Sequence, residues 1–362
     1  MRLALVFAVV IHGLIHFLGF AKAFNLLTVA ELTQPISRPS GIFWFQAALL
    51  FLFVAAGILL KKDWWWMLAM VAVLLSQFLI MGNWQDAKFG TFLNVLILCA
   101  AIIGFADWKF YRSYRVDVHE ALSKAIPVEQ DLITEADLQR LPQLVQQYLR
   151  YAGVVNTPKL KSLKIEFDGE MRGRDMDWFP FHAEQYNTFN TPHRLFFMRG
   201  RIKGLMVPGY HAFKDGTATM LIKLFAIFPV VNNKGKEMNI GETVTVFNDM
   251  CIMAPASLID PRIRWEEIDS QSVKAIFTNQ NITISAQLFF NEQGQLINFV
   301  SDDRYETTGK SFVRRRFSTP MSHYKNINGI NVPTYGEAIW HYPEGDFVYG
   351  KFYLKDIQYN VK

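Results

Sequence analysis

Two kinds of residue spacing in this 362-residue chain could do chemistry. His12 and His16 lie four positions apart, so on a helix both project from one face. Two imidazoles placed in that way could serve as ligands to a metal or a haem, but no third and fourth ligand is obvious in the sequence. Hydrogen bonding to Gln46, Gln77 or Asn94 on neighbouring helices is the simpler expectation. On a strand, Phe181-His182-Ala183-Glu184-Gln185-Tyr186 alternates: His182, Glu184 and Tyr186 share one face, Phe181, Ala183 and Gln185 the other. His182 and Glu184 form a candidate acid–base pair. Arg199 and Arg201 also share a strand face and could meet an anionic headgroup. Asp302, Asp303 and Arg304 add carboxylates and a cation, and Arg314-Arg315-Arg316 is the densest basic run after the apolar part. A solvated loop is the ordinary use of that run, and contact with anionic lipid is the sharper one. No G-x-S-x-G elbow, Walker loop, dinucleotide fingerprint or H-E-x-x-H is present, so the reading expects no cofactor. Cys99 and Cys251 are far apart and outside any metal-ligand spacing, which excludes a disulfide framework.

The elements that must position these residues divide sharply near Trp108. Leu3–Ala21, Gly41–Leu60, Trp64–Gly82 and Phe89–Ala106 carry no charged residue, and each spans roughly 27–30 Å as a helix, the thickness of a bilayer core. Trp64, Trp65, Trp66, Trp84 and Trp108 fall at their ends, as an aromatic belt requires. Residues 1–108 are therefore expected to form a four-helix transmembrane bundle, followed by a juxtamembrane linker over 109–133. Arg2, Lys61, Lys62, Lys109, Arg112 and Arg115 fall on one side, against Lys22, Arg38 and Lys88 on the other. The excess predicts a cytoplasmic position for the soluble part, in a bacterial inner membrane. Ala21-Lys22-Ala23 imitates a signal-peptidase site. The apolar stretch before it is long for a signal peptide and holds two histidines, so it is read as a retained helix. The net charge of +5 comes mostly from basic residues interleaved with acids, which fits a membrane surface better than nucleic acid.

Residues 134–362 read as a soluble, strand-rich domain. Thr134–Ala152 has a helical stripe of Leu138, Leu141, Leu144, Val145 and Leu149, with Thr134 as N-cap. After Pro158 the period becomes two. Phe179–Thr188, Arg194–Ile202, Thr217–Leu224, Ser272–Thr278, Ile282–Phe290, Leu296–Arg304, Asn331–His341 and Tyr349–Tyr359 are predicted strands. Glu242–Leu258, with Val246, Phe247, Met250 and Met253, is a predicted helix broken by Pro255. The fold class expected is α+β: the helix bundle, then a large curved antiparallel sheet, half-barrel or barrel, with a few packed helices.

The later part resembles a family of uncharacterised bacterial proteins whose soluble domain is similar to lipoprotein carriers of the LolA/LolB type. The resemblance rests on Leu141-Pro142 with Val145 and Tyr148, Leu149-Arg150-Tyr151-Ala152-Gly153, Phe181 to Tyr186, Pro255-Ala256-Ser257-Leu258, Asp303-Arg304-Tyr305 and Pro333-Thr334. It implies lipid handling between a curved sheet and helices. It also sets a contrast, because those carriers are secreted or lipid-anchored, whereas this domain follows a helix bundle. The expected function is a non-catalytic, membrane-anchored module that holds a lipid or other amphipathic ligand. Trp178, Phe179, Phe181, Phe196, Met250 and Met253 are expected to line its pocket, with Arg199 or Arg201 on the polar head. The expected partners are the lipid bilayer and that apolar small molecule. The competing expectations are an enzyme using His182 and Glu184 on a membrane-associated substrate, and a structural or sensory membrane protein.

Overall fold

A computed structural model describes residues 2–29, 32–125, 131–308 and 311–362. The chain divides into two compact units, Met1–Phe110 and Tyr111–Lys362.

The first unit contains α1 (Arg2–Ala23), α2 (Arg38–Leu59), α3 (Trp65–Gly82), the short α4 (Trp84–Ala87) and the first part of α5 (Gly90–Lys124). α1, α2, α3 and α5 are long and apolar enough to cross a membrane. Their packing is the reverse of a water-soluble bundle. Phe7, Leu74, Phe78 and Phe92 are largely exposed, whereas His12, His16, Ser76 and Asn94 are buried. A helix with an apolar outer face and a polar inner one fits a lipid surround. α1 and α2 approach closely at Gly19, where a Cβ would lie 2.4 Å from the Trp44 ring. Ser37 caps α2 through the Ser40 N–H, with a proline in the first turn.

In the second unit, α5 continues as helix through the start of the segment expected as a linker. Residues 126–130, part of that expectation, lie outside the described residues. α6 (Glu135–Leu138) opens with the Thr134–Asp137 capping box. Pro142 then ends it and α7 (Gln143–Ala152) begins, so the single predicted helix is two.

The strands follow: β1 (Ser162–Met171), β2 (Phe179–Thr188), β3 (His193–Ile202), β4 (Leu205–Lys214), β5 (Thr217–Leu224) and β6 (Phe228–Lys234). Next come α8 (Lys236–Ile252) and a 3-10 turn at Pro255–Ile259, so the predicted Met-rich helix starts earlier and breaks where Pro255 stands. β7 (Ile263–Glu267), β8 (Ser272–Asn279), β9 (Ile282–Phe290), β10 (Leu296–Ser301), β11 (Tyr305–Thr308), β12 (Ser311–Arg314), β13 (Phe317–Ile327), β14 (Ile330–Tyr342) and β15 (Gly345–Tyr359) complete the unit.

Thirteen strands make one antiparallel sheet in the order β6-β5-β4-β3-β2-β1-β15-β14-β13-β10-β9-β8-β7, and β11 and β12 pair separately. The sheet is open rather than a closed barrel, with β6 and β7 as its edges. Register shifts at Glu166/Phe167, Ile222/Lys223, Leu296/Asn298 and Ala338/Ile339 insert the irregularities that bend strands. α8 crosses the concave face, packing on β5 and β6 at one side and on β9 and β10 at the other. Phe247 stacks on Phe277 and touches Phe299 there, in the centre of the main core.

Candidate functional site

Strand alternation decides which residues the concave face receives. β1 presents Phe167 there, β2 Gln185, and β3 Arg194 and Phe196. β13 presents Phe317, Thr319 and Met321, and β15 presents Phe352 and Leu354. Where α8 bridges the curve, β14 contributes Thr334 to Ala338, and the small Gly336 and Ala338 leave space in the middle of that stretch. A partly open cavity results, with about 750 Å³ of empty space when its open mouth is counted, roofed by Thr245, Asn248, Asp249, Ile252 and Met253. Most of its wall is apolar, as in small-molecule sites.

One wall of the cavity carries a buried polar network. Arg194 donates to Asp249 Oδ2 at 2.7 Å, to Glu242 Oε1 at 2.9 Å and to Gln185 Oε1 at 2.9 Å. Gln185 in turn donates to Asp249 at 2.8 Å and to Asn187 at 2.7 Å. His211 Nε2 sits 2.8 Å from Glu242 Oε2. Burial alone would push the Glu242 carboxyl up. The His211 imidazole and the Arg194 guanidinium outweigh it and hold the group down at about 2. Arg194 is thus a cation whose charge is already matched by two carboxylates.

Arg304 is different. Its guanidinium carbon lies 4.0 Å over the Phe317 ring and 5.4 Å from that of Trp340, and Nη1 donates to the Tyr349 hydroxyl at 3.1 Å. Among the described residues no carboxylate stands within ion-pair distance of it. Aromatic faces and one phenol orient the cation on the cavity wall, and its charge reaches the buried Glu242 carboxylate only at longer range.

The structure gathers Phe196 and Met253, of the expected ligand residues, on the cavity wall. Phe181 is in the core behind it, edge-to-face with Phe352, and Phe179 packs half-buried beside that core. Met250 is buried on the core side of α8. Trp178 lies outside, between Arg172 and Lys351.

Arg199 and Arg201 occur on the opposite face of β3 from Arg194 and Phe196, because odd and even positions of one strand cannot share a face. Arg199 covers the Tyr111 and Phe197 rings instead, and Arg201 is exposed. The cavity's arginines, Arg194 and Arg304, went unassigned as ligand residues. The alternation that links Phe196 with Arg194 was the available signal for one, and the Asp303-Arg304-Tyr305 motif for the other.

His182 and Glu184 also lie on that opposite face and do not converge. His182 Nδ1 pairs with Asp168 at 2.9 Å, and this hydrogen bond holds the Asp168 carboxyl below its usual range. Glu184 meets Arg115 at 3.4 Å, Lys164 at 3.6 Å and the Tyr111 hydroxyl at 3.2 Å. Arg314, Arg315 and Arg316 are spent on Asp303, Glu306 and Asp302 respectively.

In the first unit, His12 Nε2 bonds Asn94 Oδ1 at 2.8 Å, and Asn94 donates to Gln77 at 3.1 Å. His16 bonds Ser76 Oγ and the His12 carbonyl. Gln46, the third expected partner, is exposed on the outer side of α2. Among the described residues no group of three or more His, Cys, Asp or Glu could hold a metal ion.

An open curved antiparallel sheet, bridged by one helix over an apolar cavity, defines the class: an α+β domain that follows a helical segment in the sequence. The chain belongs to a family of unknown function, DUF6544, which matches residues 131–352 and so takes in every residue of the cavity lining except Leu354. No curated protein matches it. A solved LolA superfamily protein from Nitrosomonas europaea is similar over 59% of this chain and 92% of its own, at 12% identity and a TM-score of 0.35. That likeness is too slight to carry an argument about the ligand.

Proposed function

We propose that this protein is a membrane-anchored binding module, with its four long apolar helices in the lipid and a single-tailed amphiphile held in the cavity of its second unit. The basic excess among Arg2, Lys61, Lys62, Lys109, Arg112 and Arg115 supports a cytoplasmic side for that unit, in an inner membrane. The tail would lie against Phe196, Phe317, Met321, Phe352 and Met253, stabilised by removal of apolar surface from water. The polar head would be an anion, a carboxylate or phosphate, at Arg304. The single observation that carries this reading is Arg304 itself: an oriented cation on an apolar wall, with no carboxylate within ion-pair distance among the described residues. Arg194 cannot take that role, since Asp249 and Glu242 already match it.

The test uses the full chain in lipid nanodiscs and a photoactivatable long-chain fatty acid as the probe. Unlabelled fatty acid should compete better than the alcohol of equal chain length, by about tenfold, the worth of one charge-assisted hydrogen bond. Arg304→Gln should abolish that preference and leave the alcohol unaffected. Acid and alcohol competing equally in the parent chain would remove the anionic head. Failure of both to compete would remove the binding module.

A further inference from the structure

A second surface, remote from the cavity lining, has the composition of a lipid-inserting tip. The β5–β6 connection runs Leu224-Phe225-Ala226-Ile227-Phe228-Pro229-Val230-Val231, eight apolar residues in a row, of which Phe228, Pro229 and Val230 are exposed. Phe228 is 60% exposed and Val230 57%. The β3–β4 turn lies beside it, since the Phe225 N–H donates to the Met206 carbonyl at 2.9 Å, and it adds Leu205 at 40% exposure. A monomeric soluble domain does not ordinarily gather large apolar side chains at a hairpin tip.

The backbone supports a special role. Phe225 and Ala226 hold φ of 55° and 60°, a left-handed conformation that glycine or asparagine would adopt more readily. Residues kept there against local preference concentrate at functional surfaces.

Charge narrows the partner. Arg201 and Lys203 flank the tip and have no ion-pair partner among the described residues, and Lys223 lies on the same hairpin end. Between Arg199 and Val231 the sole carboxylate is Asp215, in the β4–β5 turn at the other end of these strands. An apolar tip ringed by long basic side chains is complementary to an anionic bilayer: apolar groups enter the acyl boundary while the ammonium and guanidinium groups meet headgroup phosphates.

We infer that the β5–β6 tip, with Leu205 of the β3–β4 turn, inserts into the interfacial layer of an anionic membrane, whatever the cavity holds. The experiment uses the full chain with Cys99→Ser and Cys251→Ala, reconstituted in vesicles of phosphatidylethanolamine and phosphatidylglycerol. An environment-sensitive fluorophore is attached at Phe228→Cys, at Leu205→Cys as a second tip site, or at Gln293→Cys in the β9–β10 turn as reference. Quenchers carried on the lipid chains should quench both tip labels several-fold more than the reference, and aqueous iodide should quench them less. Arg201→Glu with Lys203→Glu should reduce the lipid quenching. Equal quenching at tip and reference would overturn the inference. So would tip labels shielded from iodide yet untouched by lipid quenchers, since that pattern means a protein covers the tip.

Discussion

At the residue scale the most constrained group outside the helical segment is Glu242. It is 2% exposed, and it is held ionised by Arg194 and His211 against the cost of burial. Its carboxyl is depressed from an ordinary 4.5 to about 2 in the fold. The unfolded chain therefore takes up a proton near the ordinary value while the folded chain resists until the lower one. The stability this provides is complete above pH 4.5 and disappears as pH falls toward 2. It should amount to something on the order of 2–3 kcal/mol. The melting temperature of the cavity unit, followed by hydrogen exchange in the full chain, should drop between about pH 6 and about pH 3. Glu242→Gln should start lower, because it leaves Arg194 and His211 short of a carboxylate, a loss of about 3–5 kcal/mol. It should also show a shallower decline with acid. An unchanged slope in the variant would assign the acid sensitivity to other carboxylates. None of this network was legible in the sequence. Glu242, Arg194 and His211 come from α8, β3 and β4, and only the crossing of the helix over the sheet brings them within contact.

At the element scale, proline placement accounts for part of what could not be read, although Pro180 and Pro333 did not hide β2 and β14. Thr217–Leu224 and Ile282–Phe290 match strands residue for residue, because uninterrupted alternation leaves no other period. β4, β6 and β13 escaped notice because Pro208, Pro229 and Pro320 interrupt the runs, and a proline in a strand ordinarily argues against one. The opposite happened in the helical stretch, where a continuous apolar stripe outweighed Pro142 and concealed a break. The end of α7 is clearer. Gly153 sits at φ 78°, its N–H capping the Arg150 and Leu149 carbonyls, and a Cβ there would come 3.3 Å from the Gly329 carbonyl. Gly153→Ala should cost about 1 kcal/mol from the left-handed backbone alone, a melting shift of a few degrees. An Ala variant as stable as the parent would mean the cap relaxes freely.

At the scale of the whole molecule, the two units place their apolar and polar side chains in opposite ways. In residues 1–110 the outward faces are apolar and the polar side chains turn inward. In residues 111–362 an apolar core is enclosed and charges line the outside. That division was the most legible feature of the sequence, since uncharged runs of bilayer length need no knowledge of tertiary contacts. An open sheet rather than a closed barrel was not legible, because strand count and alternation are alike in both. The cavity depends on that openness: a curved sheet leaves a hollow that α8 bridges without filling. The most direct test of the central claim is where a photoactivatable fatty acid attaches in the full chain, mapped by mass spectrometry of its peptides. Adducts should cluster on Thr245–Met253 and on β13 through β15, in excess of the lipid-facing background on α1, α2, α3 and the first part of α5. Adducts confined to those helices would show that nothing occupies the cavity and would contradict the account.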